Sequence, residues 1–366
     1  MRFGRKSMEK KSNRSFRKGA VLALALALAV AGAGSAFAAA QINILETGSS
    51  LLYPLFNLWV PSYAHMHPNV KITTQSTGSG TGISQSIAGI AQIGASDAYL
   101  SPAQMRMHSN MMNIPLAISS QMVNYNVPGL NYKHLNLSGP VLAGIYSGKI
   151  RNWNDEQIAK LNPGVKLPNH TIIPIHRTDG SGDTFIFTQY LSFSTPSWAN
   201  SLAYGTSISW PAVPGGLGAV GNPGMVTALT GSPYSIAYIG VSYRQAIDQH
   251  HMGTAALENR DGKFVLLTPH TVSSAAAQMV PKTPQNEAVS LIFAPGPDSY
   301  PIINYEYAIV SKTQPSAETA AALREFFSWA IRGDGGNAPK YLNPVHFAPL
   351  PPSVVKLSQA QIDQIQ

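Results

Sequence analysis

Three short segments of the chain concentrate residues suited to one task, the holding of an anion. Each is a strand pattern, then a turn of glycine and hydroxyl residues, then a helix pattern: Thr47-Gly48-Ser49-Ser50, Thr77 to Gly82, and Asp179 to Thr184. A helix N-terminus presents unpaired N–H groups and a partial positive charge, glycine lets a ligand reach the backbone, and hydroxyls rotate to donate. Any α/β chain uses one such turn to cap a helix. Three in one chain, one of them beside an arginine, point to a shared oxyanion site. Arg177 offers a planar fork for two oxygens, and Asp179, two residues on, can pair with it and fix its orientation. The bland alternative is a surface ion pair plus a helix cap. Asp97 follows the strand pattern that starts at Ile93, at a loop of the kind where α/β proteins place ligand groups. A buried carboxylate there suits an anion that carries a proton. It accepts that proton from monohydrogen phosphate, whereas sulfate at neutral pH has none and meets a repelled, unpaired acceptor. Taken alone, an Asp after a strand is more often a helix cap.

Other chemistries fit less well. Gly78-x-Gly80-x-Gly82 lacks the last spacing of a dinucleotide fingerprint, and Gly148-Lys149 is followed by Ile150 rather than Ser or Thr. A phosphatase using Asp179 or Ser181 as nucleophile needs a metal cluster or a nearby base, and no H-E-x-x-H or clustered Asp/His set is present. His176 adjoins Arg177 but points to the opposite face of a strand, which makes it structural. His65-x-His67 and His250-His251 read as surface residues. The chain has no Cys, so disulfides, thiolate metal sites and a lipid-modified cysteine are excluded together. No cofactor or metal is called for.

The elements that must position these turns follow an alternating grammar. Ile42 to Leu45 reads as a strand, and Leu51, Leu52, Leu55, Phe56, Trp59, Val60 and Tyr63 recur as on one helix face, with Pro54 in the first turn. Val70 and Ile72 mark a strand, Ile83, Ile87 and Ile90 a helix, and Ile93 to Asp97 a strand and loop. This order argues for an α/β fold with a largely parallel sheet. Ile172 to Ile175 and Thr184 to Leu191 repeat it, Trp210 to Gly224 reads as irregular, and Ala320 to Ile331 as an amphipathic helix. Two extended runs, Met122 to Val127 and Ile302 to Val310, could connect two lobes.

Charge points away from nucleic acid. The net charge is +8, but eight basic residues and one acid lie in the first 18 positions, and the remainder carries 17 basic and 16 acidic residues. A near-neutral body lacks a phosphate-neutralising surface. The basic stretch precedes an apolar run from Ala20 to Ala31 and the small residues of Ala36-Phe37-Ala38. That is the pattern of an export signal, cleaved after Ala38 or Ala40 and starting at Met1 or Met8. The run is too short to span a membrane, which takes about 20 residues. The mature chain is therefore expected to be a soluble extracytoplasmic protein without a lipid anchor, long enough for two domains.

The matching stretches TGSSLLYP (Thr47 to Pro54), STGSGTG (Ser76 to Gly82), IGASDAYLS (Ile93 to Ser101), IYSGKIRNWNDEQIAKLNPG (Ile145 to Gly164) and RTDGSGDTFIFTQYL (Arg177 to Leu191) resemble the periplasmic phosphate-binding proteins of the PstS type. AYIG from Ala237, YPIINYEYAIV from Tyr300 and FFSWA from Phe326 extend the likeness to Lys356. The resemblance implies a type II periplasmic binding-protein fold, α/β, with two lobes closing on phosphate. The expected organisation is a signal over 1–40, a discontinuous first lobe over 41–123 and 305–366, and a second lobe over 124–304. It implies a receptor that captures inorganic phosphate, as the monohydrogen or dihydrogen form, and delivers it to the membrane permease of an ABC importer. A monomer without enzymatic activity is expected. A receptor for another oxyanion and a phosphatase are the alternatives, and an additional adhesion role using Trp153, Trp198 and Trp210 stays open.

By motif, Ser79 donates to the ligand, Asp97 accepts its proton, and Arg177 supplies the bidentate cation with Asp179 beside it. Ser181, Gly182 and Asp183 line the third turn, and Leu52 and Tyr53 the first. Two departures stand out. Leu52 and Asp183 occupy positions where the family often has Thr. Ser50 could supply the hydroxyl that Leu52 lacks. Asp183 is expected to turn aside and cap the helix, leaving its N–H or the Thr184 hydroxyl to donate.

Overall fold

A computed structural model describes residues 41–366; the segment read as an export signal lies outside them. The strands are β1 (Ile42–Gly48), β2 (Val70–Ser76), β3 (Ile93–Ser96), β4 (Met111–Asn126), β5 (Asn136–Leu137), β6 (Ile173–Arg177), β7 (Leu217–Ala219), β8 (Ser235–Gly240), β9 (Gly253–Thr254), β10 (Ala256–Glu258), β11 (Phe264–Val265) and β12 (Ile303–Ser311). Five helices bear on the site and the core: α1 (Tyr53–Met66), α2 (Ser79–Ile87), α3 (Gly182–Ser194), α4 (Gly221–Gly231) and α5 (Ala317–Ala330).

Nine strands form one mixed sheet, in the order β2-β1-β3-β12-β4-β8-β6-β7, with β9 also paired to β4. β5, β10 and β11 make a small separate sheet. The expected parallel character holds at both ends, where β2-β1-β3 and β8-β6-β7 are parallel. The centre differs: β12 runs antiparallel to β3 and β4, and β4 runs antiparallel to β8. The βαβ grammar repeats within each parallel set but cannot cross between them, so the long strands that join the sets reverse direction.

β4 is the spine. All 16 of its residues are buried. It pairs with β12 from Met111 to Ser120 and with β8 from Gln121 to Asn126. The sequence pattern shows only its second half, because Pro115 and the polar Ser119 and Ser120 interrupt the first. Pro115 is accommodated where the register slips between Glu306 and Tyr307 of β12, since a bulge tolerates a residue with no N–H to donate.

The apolar positions do what their spacing predicts. Leu55, Phe56, Trp59 and Tyr63 are the buried face of α1, where Trp59 packs edge-on against Phe326 and Trp329 of α5 and Tyr63 edge-on against Phe326. Trp59 also donates its indole N–H to the carbonyl of Gly336 at 2.8 Å. Each such ring contributes roughly 1.5–3 kcal/mol by leaving water. Trp153 and Trp198 are buried, and Trp210 packs on Tyr146, Trp198 and Tyr238. Three readings need correction. Ile90 does not belong to α2, which ends at Ile87, and its side chain is 60% exposed. The segment from Trp210 is not wholly irregular, since it contains β7 and the start of α4. The third helix starts at Gly182, two residues earlier than its apolar pattern.

Candidate functional site

The turns after β1, β2 and β6 come together at the carboxyl ends of their strands. Each opens a helix, and each uses its small residues for a stated reason. Gly78 precedes α2 with φ +89°, a conformation open to glycine, and a Cβ there would fall 2.6 Å from both Asp179 Oδ2 and the Gly180 carbonyl. Gly80 donates its N–H to the Gly180 carbonyl at 2.8 Å. Gly182 lies against Asp97 and Ser79: a Cβ would fall 2.5 Å from Ser79 Oγ, 2.6 Å from Asp97 Cβ and closer still to Asp97 Oδ2. Glycine at these positions is thus what lets the turns approach one another.

Arg177 ends β6 with its side chain 1% exposed. Nε donates to Asp179 Oδ1 at 2.7 Å and Nη2 to Asp179 Oδ2, while Nη1 donates to Asp183 Oδ2 at 2.8 Å. Of the five N–H groups of a guanidinium, one on each Nη stays uncommitted to these partners. Burial works against the Arg177 charge, but hydrogen bonding to Asp179 and the charges of Asp183 and Asp179 outweigh it and raise its pKa. Burial pushes the Asp179 carboxyl up, but Arg177 and the Gly221 N–H win and hold it below the usual carboxylate range.

Asp183 does turn aside, but not to cap the helix. The cap is Ser181, whose hydroxyl accepts from the Thr184 N–H at 3.1 Å. The Asp183 carboxylate instead accepts from Arg177, from Asn222 Nδ2 at 2.7 Å and from Gln121 Nε2 at 3.0 Å. Burial leads its pKa upward against those three partners. Thr184 Oγ1 is spent on the Tyr238 hydroxyl at 2.8 Å.

Asp97 is 2% exposed. Its Oδ1 accepts from the Ser49 hydroxyl, and its N–H donates to Ser79 Oγ at 3.2 Å. Its Oδ2, against Gly182 and Ser79, has no hydrogen-bond partner among the described residues. Burial, with the Asp183 charge adding, pushes this carboxyl up to about 7, against the neighbouring Glu306 carboxyl, the Ser49 hydrogen bond and the charge of Arg177. The first turn is knotted around Ser49, whose Oγ accepts from the N–H of Leu51 at 3.1 Å and of Leu52 at 3.0 Å. The Tyr53 N–H goes to the Ser49 carbonyl at 3.0 Å. Ser50 Oγ accepts from both the N–H and the side-chain amide of Asn222, each at 3.0 Å. His176 is half-buried and packs on Trp210 at 5.1 Å, and burial lowers its pKa.

Sequence reasoning passed over Asn222, Gln121 and Glu306. Asn222, at the start of α4, reads as a cap, and Gln121 as one polar residue among many. Glu306 carried a signal, an acid inside the apolar run IINYEYAIV.

The arrangement is a buried cluster holding a half-committed guanidinium, an orphan carboxylate oxygen and three helix starts. The PBP superfamily domain matches residues 31–334. The phosphate-binding protein PstS of Methanocaldococcus jannaschii is 34% identical over 345 residues, covering 89% of this chain and 87% of its own length. PstS of Pasteurella multocida is 34% identical over 319 residues, covering 87% and 89%. Among solved structures, the high-affinity periplasmic phosphate-binding protein PfluDING bound with phosphate aligns at TM-score 0.69 and 19% identity, over 87% of this chain and 93% of that one. A phosphate-binding protein from Stenotrophomonas maltophilia aligns at TM-score 0.66 and 19% identity, over 87% and 93%.

Proposed function

Because this chain belongs to the PBP superfamily, among the PstS phosphate-binding proteins, and has their type II periplasmic binding-protein fold, we propose that it captures inorganic phosphate in the cleft and delivers it to the permease of an ABC importer. The observation that carries the reading is the pairing of Arg177 with the orphan oxygen of Asp97 in one water-excluded space. The Nη groups of Arg177 grip two phosphate oxygens, Asp97 Oδ2 accepts the phosphate proton, and Ser79, Ser181 and Gly182 contribute donors from two helix starts. The cleft holds more carboxylates than cations. The anion is therefore held by aimed hydrogen bonds and helix ends rather than by net charge, which favours a ligand able to return a proton.

We assign one lobe to 41–123 and 305–366 and the other to 124–304, with β4 and β12 as the connection. The change of partner along β4 between Ser120 and Gln121 supports that boundary. Phosphate shifts an open–closed equilibrium by touching both lobes. Contacts consistent with a closed form are Gly80 N–H to the Gly180 carbonyl, Asn222 to Ser50, and Ser242 Oγ to the Leu51 carbonyl at 2.8 Å. The leader over 1–40 directs export, and the mature protein works outside the cytoplasm as a monomer, by binding without chemistry. Calorimetric titration of unfolded-and-refolded, ligand-free protein with phosphate and then sulfate tests this. One-to-one phosphate binding without sulfate heat is expected, weakened in Arg177→Ala and with the discrimination lost in Asp97→Asn. Folded protein that gives no phosphate heat refutes the reading.

A further inference from the structure

Glu306 is the one acid on β12 and is fully buried. It stands at the register slip that re-aims side chains on that strand. Its Oε1 accepts from Asn304 Nδ2 at 3.0 Å and lies against the Ser119 hydroxyl, whose one hydrogen also faces Asn304 Oδ1 at 2.8 Å, while Oε2 has no partner among the described residues. The Asp97 and Glu306 carboxyls lie within hydrogen-bonding reach of each other. Asn304 ties the two together, since its amide also reaches the Asp97 carbonyl at 3.4 Å. No cation among the described residues pairs with Glu306; the cation of the site, Arg177, is engaged by Asp179 and Asp183.

Two touching carboxylates in a dry site cannot both ionise, so one proton belongs to the pair. Its place follows from the donors. Glu306 Oε1 is engaged by the Asn304 amide and the Ser119 hydroxyl, which leaves the unpartnered Oε2 as the oxygen that turns a hydrogen toward Asp97. Asp97 Oδ1 receives the Ser49 hydroxyl, as an anionic oxygen would. We propose that Glu306 is a specificity-determining positioning residue: as a neutral acid it donates to Asp97, and thereby keeps Asp97 an acceptor for an oxyanion that carries a proton. This deepens the phosphate reading and rests on it. The other groups facing the pair are Asp183 from α3, Arg177 from β6 with Asp179 bound to it, Ser119 from β4, and Ser49 and Ser79 from the first two turns.

The consequence is a proton-dependent selectivity. When acid adds a second proton to the pair, Asp97 becomes a donor and an unprotonated oxyanion such as sulfate is admitted. In Glu306→Gln the amide donates to Asp97 in place of the acid, while its oxygen keeps Ser119 and Asn304, and the second titrating carboxyl is gone. In Glu306→Leu the donor is lost. The test is sulfate binding, and phosphate binding in competition with sulfate, followed from pH 8 to pH 5 in wild type, Glu306→Gln and Glu306→Leu, with folding checked by circular dichroism. The pH at which sulfate enters should stay within about half a unit of wild type in Glu306→Gln and rise by about one unit in Glu306→Leu. The phosphate-to-sulfate ratio of Glu306→Leu at neutral pH should then drop about tenfold. An Asp183→Asn control should leave a sulfate transition that still responds to Glu306. Unchanged pH profiles in both variants, or a Glu306→Gln profile that moves with that of Glu306→Leu, overturn the proposal. If Glu306→Leu does not fold, a Glu306→Gln profile raised by about one unit alone does so. Wild type that binds no phosphate would instead refute the underlying reading.

Discussion

Adding one methyl group at Gly182 tests whether the turns meet at the observed spacing when phosphate is bound. Gly182 opens α3 and lacks the positive φ that would exclude alanine. Its Cβ would fall 2.5 Å from Ser79 Oγ and 2.6 Å from Asp97 Cβ, against 3.4 Å for ordinary contact. The shortfall is about 1 Å, and it is not met by the tip of a flexible side chain: Asp97 is held by Ser49 and Ser79 is tied to the Asp97 N–H. The turns must part by a similar amount, which stretches the Gly80–Gly180 bond of 2.8 Å and the Asn222–Ser50 bonds of 3.0 Å. Each is worth about 1 kcal/mol, and misplacing a buried charged contact costs about 2–5 kcal/mol. Gly182→Ala should therefore bind phosphate about 30- to 1,000-fold more weakly. Its unliganded melting temperature should be unchanged or slightly higher, because Gly→Ala at an unstrained position stabilises by about 0.4–1 kcal/mol through the unfolded chain. Calorimetric titration reads the first quantity and a thermal melt the second. Phosphate affinity within about twofold of wild type would show that the bound form does not have this closure.

Ser50→Ala removes the acceptor of two Asn222 bonds without touching the assigned ligand contacts, so phosphate affinity should fall about 5- to 30-fold, and an unchanged affinity would show that this contact plays no part in closure. Burial pushes the folded carboxyls of Asp97 and Glu287 up to about 7 and about 8, against about 4 in the unfolded chain. The folded state thus binds more protons between those limits, and stability should rise as pH falls from 8 toward 5, by up to about 1.4 kcal/mol per pH unit for each group; a melting temperature that drops steadily over that range would contradict the assignment. Asp183→Asn keeps an acceptor for Arg177 and removes one negative charge from the cleft. It should tighten phosphate binding about tenfold at some cost in stability, whereas weaker binding would mean that the carboxylate serves the ligand by positioning Arg177.

What was legible in the sequence was local. The three turns could be placed on helix starts because glycine and hydroxyl residues there answer to backbone demands within four or five residues, and Arg177 with Asp179 is a contact two residues apart. What stayed hidden is tertiary. Asn222 joins Ser50, Asp183 and Gly240 across separations of up to 172 residues, and no spacing rule connects them. The capping role assigned to Asp183 was wrong because Ser181, two positions ahead, is the residue that accepts from the Thr184 N–H and caps the helix. Ile90 misled because three-residue spacing continues by chance past the end of α2. The first half of β4 was missed because a proline in a strand argues against it, unless the partner strand slips in register, as β12 does.

The position of β12 also dictates an order of assembly. It lies between β3 and β4, yet comes almost 180 residues after the end of β4 in the chain. A polypeptide emerging N-terminus first, from a ribosome or across a membrane, therefore presents β1, β2, β3 and β4 long before the strand that joins them exists. Until Ile303–Ser311 arrives, β3 and β4 have facing edges with nothing between them, and such edges recruit wrong partners. The sheet is completed by insertion rather than by growth at its rim. Folding should thus be slow for the size of the protein, and a chain cut short before Ile303 should remain without a finished core even though it carries every turn of the cleft.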